Sequence, residues 1–204
     1  MIKYILYYNT CSVELTEQSY RVRPVSRYQG YCESNKMNDI AKPEKRSWVY
    51  VKSNDDFIFI ETYSGYWNCL PDPSGESFML SHSSSNEEVG EAVLRGVSAS
   101  RIINPKHDPE FFDVMGRVVP QYNSWISEVM SQFGYKTKRA MFKDMKNCAI
   151  ELVKNTVMIQ PSHHEKLEAW SGKGITESDY VVIPSNSSPV EVGAALRLAI
   201  SRCT

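Results

Sequence analysis

Two stretches of the chain repeat one pattern of apolar and polar positions. Residues 84–92 and 187–195 both read S-S-x-x-E-V-G-x-A, and apolar residues continue beyond each at the spacing of a helix with one buried face. In each stretch a serine lies three residues before a glutamate, which is the spacing of a capping box. In this motif the serine hydroxyl and the glutamate carboxylate each accept a hydrogen bond from a backbone N–H at the start of the helix. These residues are Ser85 with Glu88 and Ser188 with Glu191. The pattern predicts two equivalent amphipathic helices.

Each pattern also places a glycine in the first helical turn, at Gly90 and at Gly193. Glycine costs a helix about 1 kcal/mol relative to alanine, so its presence there indicates a close backbone approach. We expect each helix to approach a sheet at this glycine.

The repetition extends upstream of the two helices. Trp67 and Trp170 precede Ser85 and Ser188 at the same distance. Before each tryptophan, two short apolar runs flank a polar turn, which predicts a hairpin, and a third run lies between tryptophan and serine. The runs cover 48–51, 57–60 and 78–80 in the first copy, and 149–153, 157–159 and 180–183 in the second. We expect Trp67 to be a core side chain.

The segments outside the copies are less regular. Residues 2–8 predict an apolar strand, 20–31 an extended segment, and 33–46 a polar surface connection. Between the copies, Asp108 and Pro109 predict the start of a helix that runs to residue 119.

Three further features lie in this connection. Pro120 is expected to stop the helix that begins at Asp108. A second apolar face, 125–133, predicts another helix, ended by Gly134. Residues 136–146 are compatible with helix or strand.

These elements predict an α+β fold with two pseudo-repeats, about 45–102 and about 147–203. Each repeat is expected to be a small, mainly antiparallel sheet packed on its capped helix. Residues 1–44 would add an N-terminal strand segment, and 103–146 a helical connector, within a single compact domain of residues 1–204.

The composition of the chain argues against several classes of protein. Lys and Arg number 23 against 24 Asp and Glu, so the chain lacks the basic excess typical of dedicated nucleic-acid binders. Its opening apolar run is too short for a signal peptide or membrane span. The cysteines are five, widely spaced and without a C-x-x-C pair, which favours reduced thiols in a cytosolic protein. They are Cys11, Cys32, Cys69, Cys148 and Cys203.

No residue pattern predicts a strong active site, metal centre or cofactor site. The only histidine pair, His163–His164, has no third ligand at metal-binding spacing, and the chain has no phosphate-binding glycine loop and no G-x-S-x-G. Cys148 is interpreted as a buried structural cysteine. The basic residues of 136–146 are interpreted as a solvated face.

The chain resembles the CdiI-type immunity proteins of contact-dependent growth inhibition systems over nearly its whole length. The resemblance rests on residues 8–10, 20–25, 133–136, 145–148 and 191–197. It implies a cytoplasmic bacterial protein that binds the C-terminal toxin domain, often a nuclease, of a large cell-surface exoprotein. The implied mechanism is 1:1 occlusion of the toxin, without catalysis, cofactor, or direct contact with nucleic acid or membrane.

Two other function classes remain open from the residues alone. One is a small hydrolase or nuclease whose site is assembled from His82, His163 and Glu165. The other is a homo-oligomeric scaffold that pairs exposed sheet edges.

A partner surface is predicted in the first copy. A nuclease toxin must attract phosphate, so its inhibitor is expected to offer carboxylates together with aromatic anchors. The predicted residues lie in or near the turns of the first copy: Asp55, Asp56, Glu61, Tyr63, Tyr66, Asp72 and Glu76. The second copy has Lys154–Asn155 at its equivalent turn, so the two copies differ in charge.

Overall fold

The computed structural model describes the backbone of residues 5–8, 11–16 and 19–24, and residues 45–204 in full. The three short ranges are strands β1 (Ile5–Tyr8), β2 (Cys11–Thr16) and β3 (Ser19–Pro24), which form an antiparallel sheet in that order. β1 and β3 fall within segments predicted to be extended, whereas β2 was not predicted. Most of the predicted connection 33–46 lies outside the described residues.

The first copy contains four strands and one helix. They are β4 (Arg46–Ser53), β5 (Phe57–Gly65), β6 (Cys69–Pro71), β7 (Ser77–Ser81) and α1 (Asn86–Ala99). β4 and β5 form the predicted hairpin, and β7 pairs with the first half of β5. Ser85 caps α1 in a complete capping box with Glu88, as its sequence predicts.

The connector departs from the predicted helix after Asp108. Residues Pro109–Phe112 form a 3-10 turn and Val114–Val118 a π-helical turn. α2 (Val119–Phe133) then begins with Pro120 in its first turn. The prediction that Pro120 ends a helix is therefore wrong, because the first turn needs no N–H from that residue. Gly134, with φ 71°, ends α2 as predicted.

The rest of the chain completes the connector and forms the second copy. A short helix α3 (Lys138–Phe142) occupies the stretch that its sequence left undecided. The remaining elements are β8 (Lys146–Val153), β9 (Thr156–Pro161), β10 (His163–Lys166), β11 (Ala169–Ser171), β12 (Val181–Pro184) and α4 (Pro189–Ser201). Ser188 and Glu191 form the second capping box.

One antiparallel sheet joins the two copies. Its strand order is β12-β9-β8-β4-β5-β6, with β7 beside the first half of β5. β4 and β8 pair at its centre, with Val49 opposite Ile150. The order is similar on the two sides of this pair. In the first copy β7 pairs with β5, and in the second copy β12 pairs with β9. The α+β class is confirmed, while the division into two pseudo-repeats stays a prediction.

Apolar side chains fill both faces of this sheet. On one face, alternate residues of the four central strands, including Val51 and Ile159, pack against α1 and α4. On the other face, Phe57 and Phe59 pack against α2, α3 and Trp170. The hydroxyl of Thr62 donates to the carbonyl of Gly96, where α1 lies close to the sheet.

Gly90 and Gly193 have a different role from the predicted one. A Cβ on Gly90 would lie 1.8 Å from the carbonyl oxygen of Pro189, and a Cβ on Gly193 would lie 1.9 Å from that of Asn86. Each glycine thus faces the first turn of the opposite helix. The close approach is between α1 and α4, and the expected contact with the sheet at these glycines is wrong.

We predict that Gly90→Ala and Gly193→Ala each lower the free energy of unfolding by about 1–3 kcal/mol. The new methyl group must push two helix backbones apart, and this overpacking outweighs the helix propensity that alanine gains. Denaturant unfolding measures the loss. Gly172→Ala is the matched control, because a Cβ there meets nothing within 4 Å. Stability equal to that of the control would contradict the close helix contact.

Candidate functional site

The predicted partner residues are spread along β5 and its flanking loops. Asp55 and Asp56 occupy the β4–β5 turn at one end of β5, whereas Tyr66 follows its other end. A strand of nine residues is about 30 Å long. The structure therefore does not gather all seven residues into one cluster.

The acidic turn is exposed and held in place by hydrogen bonds. The Asn54 side chain accepts from the backbone N–H groups of Asp56 and Phe57, at 3.0 and 3.2 Å. Asn54 donates to the Tyr135 hydroxyl at 3.0 Å, and that hydroxyl donates to the Asp56 carboxylate. Burial and this carboxylate raise the pKa of Tyr135 to about 12. The turn thus presents two carboxylates in a fixed position.

Glu61 is half-buried on the sheet and is not the freely exposed carboxylate that the sequence predicts. It lies on the face of the sheet that α2 covers, beside Lys52 of β4, and accepts a 3.4 Å hydrogen bond from Gln121. Burial raises the pKa of Glu61 and lowers that of Lys52, and the attraction between the two opposes both shifts. The Lys52 ammonium lies 5.5 Å from the centre of the Trp125 ring.

Tyr63 and Asp72 are also buried, with 6% and 5% of their surfaces exposed. The Tyr63 ring packs 4.2 Å from that of Tyr50. Asp72 accepts two 2.8 Å hydrogen bonds from Arg101 and one of 2.7 Å from the Ser64 hydroxyl. The sequence predicts Asp72 as part of the partner surface, but in the structure it is the anion of a hydrogen-bond network with Arg101 and Ser64.

The Asp72 network fixes the segment that follows α1. The Ser64 hydroxyl accepts from the backbone N–H of Arg101 at 2.9 Å. Gly65 then donates its N–H to the Arg101 carbonyl and accepts from the N–H of Ile103, at 3.1 and 2.9 Å. Residues 101–103 are thereby attached alongside the end of β5.

A rigid aromatic turn follows at this end of β5. A Cβ on Gly65 would lie 1.9 Å from the Asn68 carbonyl oxygen, so the turn closes tightly only with glycine at that position. Trp67, at its tip, is 61% exposed, and its ring stands edge to face with Tyr66 at 5.6 Å. Ile102 is also exposed beside Gly65.

The expectation that Trp67 belongs to the core is therefore wrong. Its counterpart Trp170 is 8% exposed, and its indole N–H donates to the Met145 carbonyl at 2.9 Å. In the second copy, Trp170 lies on β11 of the β10–β11 hairpin, and this hairpin carries it inward. In the first copy, Trp67 lies in the turn between the paired strands β5 and β6, which leaves it in solvent.

Glu76 lies on the outer edge of the first copy. Its backbone N–H donates to the Thr62 hydroxyl at 3.1 Å, and its carboxylate pairs with Arg95 of α1. Both side chains of this ion pair are substantially exposed. Glu76 therefore lies between the acidic turn and the aromatic turn, on the same edge of the sheet.

The histidines proposed for a hydrolase site occupy separate hydrogen-bonded settings. His82 Nδ1 bonds the Asn54 carbonyl at 2.7 Å, and His163 Nδ1 bonds the Thr204 hydroxyl at 2.9 Å. Glu165 is exposed on β10. Within the described ranges, no group of three or more His, Cys, Asp or Glu residues is placed to hold a metal ion.

The chain matches proteins of known family over most of its length. The family model described as CdiI, CDI immunity protein, matches residues 47–203. The chain belongs to the CdiI family. The immunity protein CdiI-YPIII of Yersinia pseudotuberculosis serotype O:3 (strain YPIII) is 43% identical over 178 residues, which cover 82% of this chain and 99% of that protein.

Two solved structures share the fold of this CdiI family member. One is a chain of the CdiA-CT/CdiI toxin and immunity complex from Yersinia pseudotuberculosis, with a TM-score of 0.71 and 39% identity over 78% of this chain and 98% of that one. The other is a Neisseria meningitidis protein of unknown function, with a TM-score of 0.71 and 35% identity over 79% of this chain and 97% of that one. The resemblance stated from the sequence is confirmed.

None of the helices in the described part of the chain combines the length and the apolar character that crossing a bilayer requires.

We predict that Asp72→Asn lowers the free energy of unfolding by about 1–3 kcal/mol at neutral pH, because Arg101 loses its anion. Burial alone would raise the pKa of Asp72, but hydrogen bonds from Arg101, Ser64 and the Ser74 N–H together hold it below its ordinary value. The stabilisation from the charge is therefore complete above the ordinary pKa of about 4 and is lost as the pH falls below it.

Denaturant melts at several pH values check this prediction. The difference between wild type and Asp72→Asn should shrink as the pH falls through about 4. Glu76→Gln is the matched control, since its ion pair with Arg95 is exposed and should contribute little. Equal effects of the two substitutions at neutral pH would contradict an internal role for Asp72.

Proposed function

We propose that this protein is an immunity protein that binds and neutralises the toxin domain of a contact-dependent growth inhibition exoprotein. The observation that carries the proposal is its likeness, at 39% identity and a TM-score of 0.71, to a chain of a toxin and immunity complex. Family membership over residues 47–203 supports the same function. The mechanism is stoichiometric occlusion by a rigid surface, without catalysis.

We propose the bacterial cytoplasm as the place of action. The three cysteines of residues 45–204 are free thiols, as expected of a protein kept in a reducing compartment.

A titration of toxin against immunity protein tests the mechanism. Cells that express the toxin domain encoded next to this gene should survive only when this chain is co-expressed. With purified components, residual toxin activity should fall linearly to zero at one equivalent of this protein. Complete neutralisation by a small fraction of an equivalent would instead indicate an enzyme that destroys the toxin.

The toxin-binding surface proposed here is the outer edge of the first copy. Both faces of the sheet are covered by helices, so its ends and edges carry the groups that a partner reaches. The edge presents Asp55 and Asp56 at one end, Glu76 between, and Tyr66 with Trp67 at the other. A standard interface of about 800 Å² per partner is roughly 30 Å across, which matches the length of β5.

The two ends of this edge have different chemistry. The acidic turn suits a basic surface on the toxin, which a nuclease would need for its phosphate-bearing substrate. The aromatic turn supplies a large side chain already held in place, so little conformational entropy is lost when it is buried. We infer that charge sets orientation and association rate, while Trp67 supplies most of the affinity.

We predict that Asp55→Lys/Asp56→Lys slows association with the toxin and makes binding weaker in a salt-dependent manner. Surface plasmon resonance at two ionic strengths measures the effect. Two controls are needed. Tyr135→Phe removes the hydrogen bond to Asp56 but keeps both carboxylates. Asp144→Lys/Glu165→Lys reverses two exposed carboxylates elsewhere. Association rates equal to that of the second control would exclude the acidic turn.

We predict that Trp67→Ala weakens toxin binding on the order of 30-fold, mainly through faster dissociation, because truncating a central anchor costs about 2 kcal/mol or more. Its melting temperature should change little, since the indole is in solvent in the free protein. Leu198→Ala is the control, as Leu198 is a similarly exposed apolar residue on α4. A destabilised protein with unchanged affinity would contradict this role.

A further inference from the structure

Two buried thiols meet where the last helix ends against the central sheet. Cys148 lies on β8 and is completely buried, and Cys203 follows α4 and is 6% exposed. Their sulfur atoms are 3.6 Å apart. We propose that Cys148 and Cys203 form a disulfide when the protein meets hydrogen peroxide, a modification independent of toxin binding.

Hydrogen bonds fix the backbone at both cysteines. Cys148 is fixed by the β8–β4 and β8–β9 ladders. On the other side, the Lys146 ammonium donates to the Cys203 carbonyl at 3.2 Å, and Thr204 donates its N–H to Ser162 at 3.2 Å. Because a disulfide has an S–S bond of about 2.05 Å, closure needs the sulfurs to approach by roughly 1.5 Å, which side-chain rotation supplies.

The two thiols differ in their surroundings. A hydrogen bond from Cys148 lowers the pKa of Cys203; burial opposes this shift, and backbone contacts at Ser162 and Asn147 support it, as does the Lys146 charge. The hydrogen bond to Cys203, together with burial, raises the pKa of Cys148. Cys203 is the less completely buried sulfur, at 6% against 0% exposed, and the more acidic thiol, so it is the first nucleophile and Cys148 is the resolving thiol.

The chemistry proceeds in two balanced steps. The Cys203 thiolate attacks one peroxide oxygen, the O–O bond breaks, and hydroxide leaves to be protonated to water, which gives a sulfenic acid on Cys203. The Cys148 sulfur then attacks the Cys203 sulfur. The sulfenic oxygen leaves as water with the Cys148 proton, and the S–S bond forms. Two thiols are oxidised by two electrons in total, and one peroxide is reduced to two waters.

The cross-link would tie the end of α4 to the strand at the centre of the sheet. Joining residues so far apart in sequence restricts the unfolded chain strongly, while the folded protein already holds the two sulfurs in contact. Oxidation would therefore stabilise the fold instead of damaging it. Cys69 is a poor competitor even though it is partly exposed, because desolvation raises its pKa to about 12.

The test is mass spectrometry of the full-length protein after titration with hydrogen peroxide. Non-reducing peptide mapping should show the peptides of Cys148 and Cys203 joined, with the loss of two free thiols by thiol titration and recovery on addition of dithiothreitol. Oxidised wild type should melt at a higher temperature than reduced wild type. Cys203→Ser should lose both the cross-link and the shift, whereas Cys69→Ser should keep both.

Other outcomes would overturn the proposal. They include free Cys148 and Cys203 peptides under conditions that oxidise Cys69, sulfinic acid on Cys203 without a cross-link, and a lower melting temperature after cross-linking. The wild-type peptide map decides the question even where a cysteine variant folds poorly.

Discussion

The antiparallel pairing of β4 with β8 is the interaction on which the rest of this fold depends. Both strands are eight residues long and pair along their whole length, from Arg46 opposite Val153 to Ser53 opposite Lys146. Neither copy closes a core alone, because a small sheet with one helix leaves one face and one edge exposed. Pairing the two first strands removes one edge from each copy. It also brings α1 and α4 side by side, where Gly90 and Gly193 permit their first turns to touch.

Most of the secondary structure was predictable because local physics determines it. Capping chemistry marks both helix starts, and each hairpin has a polar turn between apolar runs, so neither depends on distant contacts. The role of Gly90 was not predictable, since a glycine in a helix signals a close neighbour without indicating which one. The position of Pro120 relative to a helix was equally ambiguous, because proline is found both just after a helix and in the first turn of one.

The candidate site was less predictable than the fold, because the exposure of Asp72 and Trp67 depends on residues that are distant in sequence or on the local chain path. An aspartate in a proline- and glycine-containing turn is usually solvated, but here Arg101, distant in sequence, supplies the cation that permits burial. Trp67 matches Trp170 in sequence position, but Trp67 lies in the turn between β5 and β6, whereas Trp170 lies on strand β11, which packs against the core. The sequence pattern indicates which helix or strand a residue belongs to. Tertiary partners decide which residues reach the surface.

The internal symmetry of the sheet has a consequence for recognition. β4 and β8 run antiparallel, so the equivalent turns of the two hairpins lie at opposite ends of the sheet. One turn carries Asp55 and Asp56, and the other carries Lys154, which adopts a left-handed conformation with φ 53°. The strand order is similar on the two sides of the β4–β8 pair, but the charge of the two hairpin turns differs. A partner that recognised shape alone would meet two similar edges, whereas one that also recognises charge is directed to a single orientation.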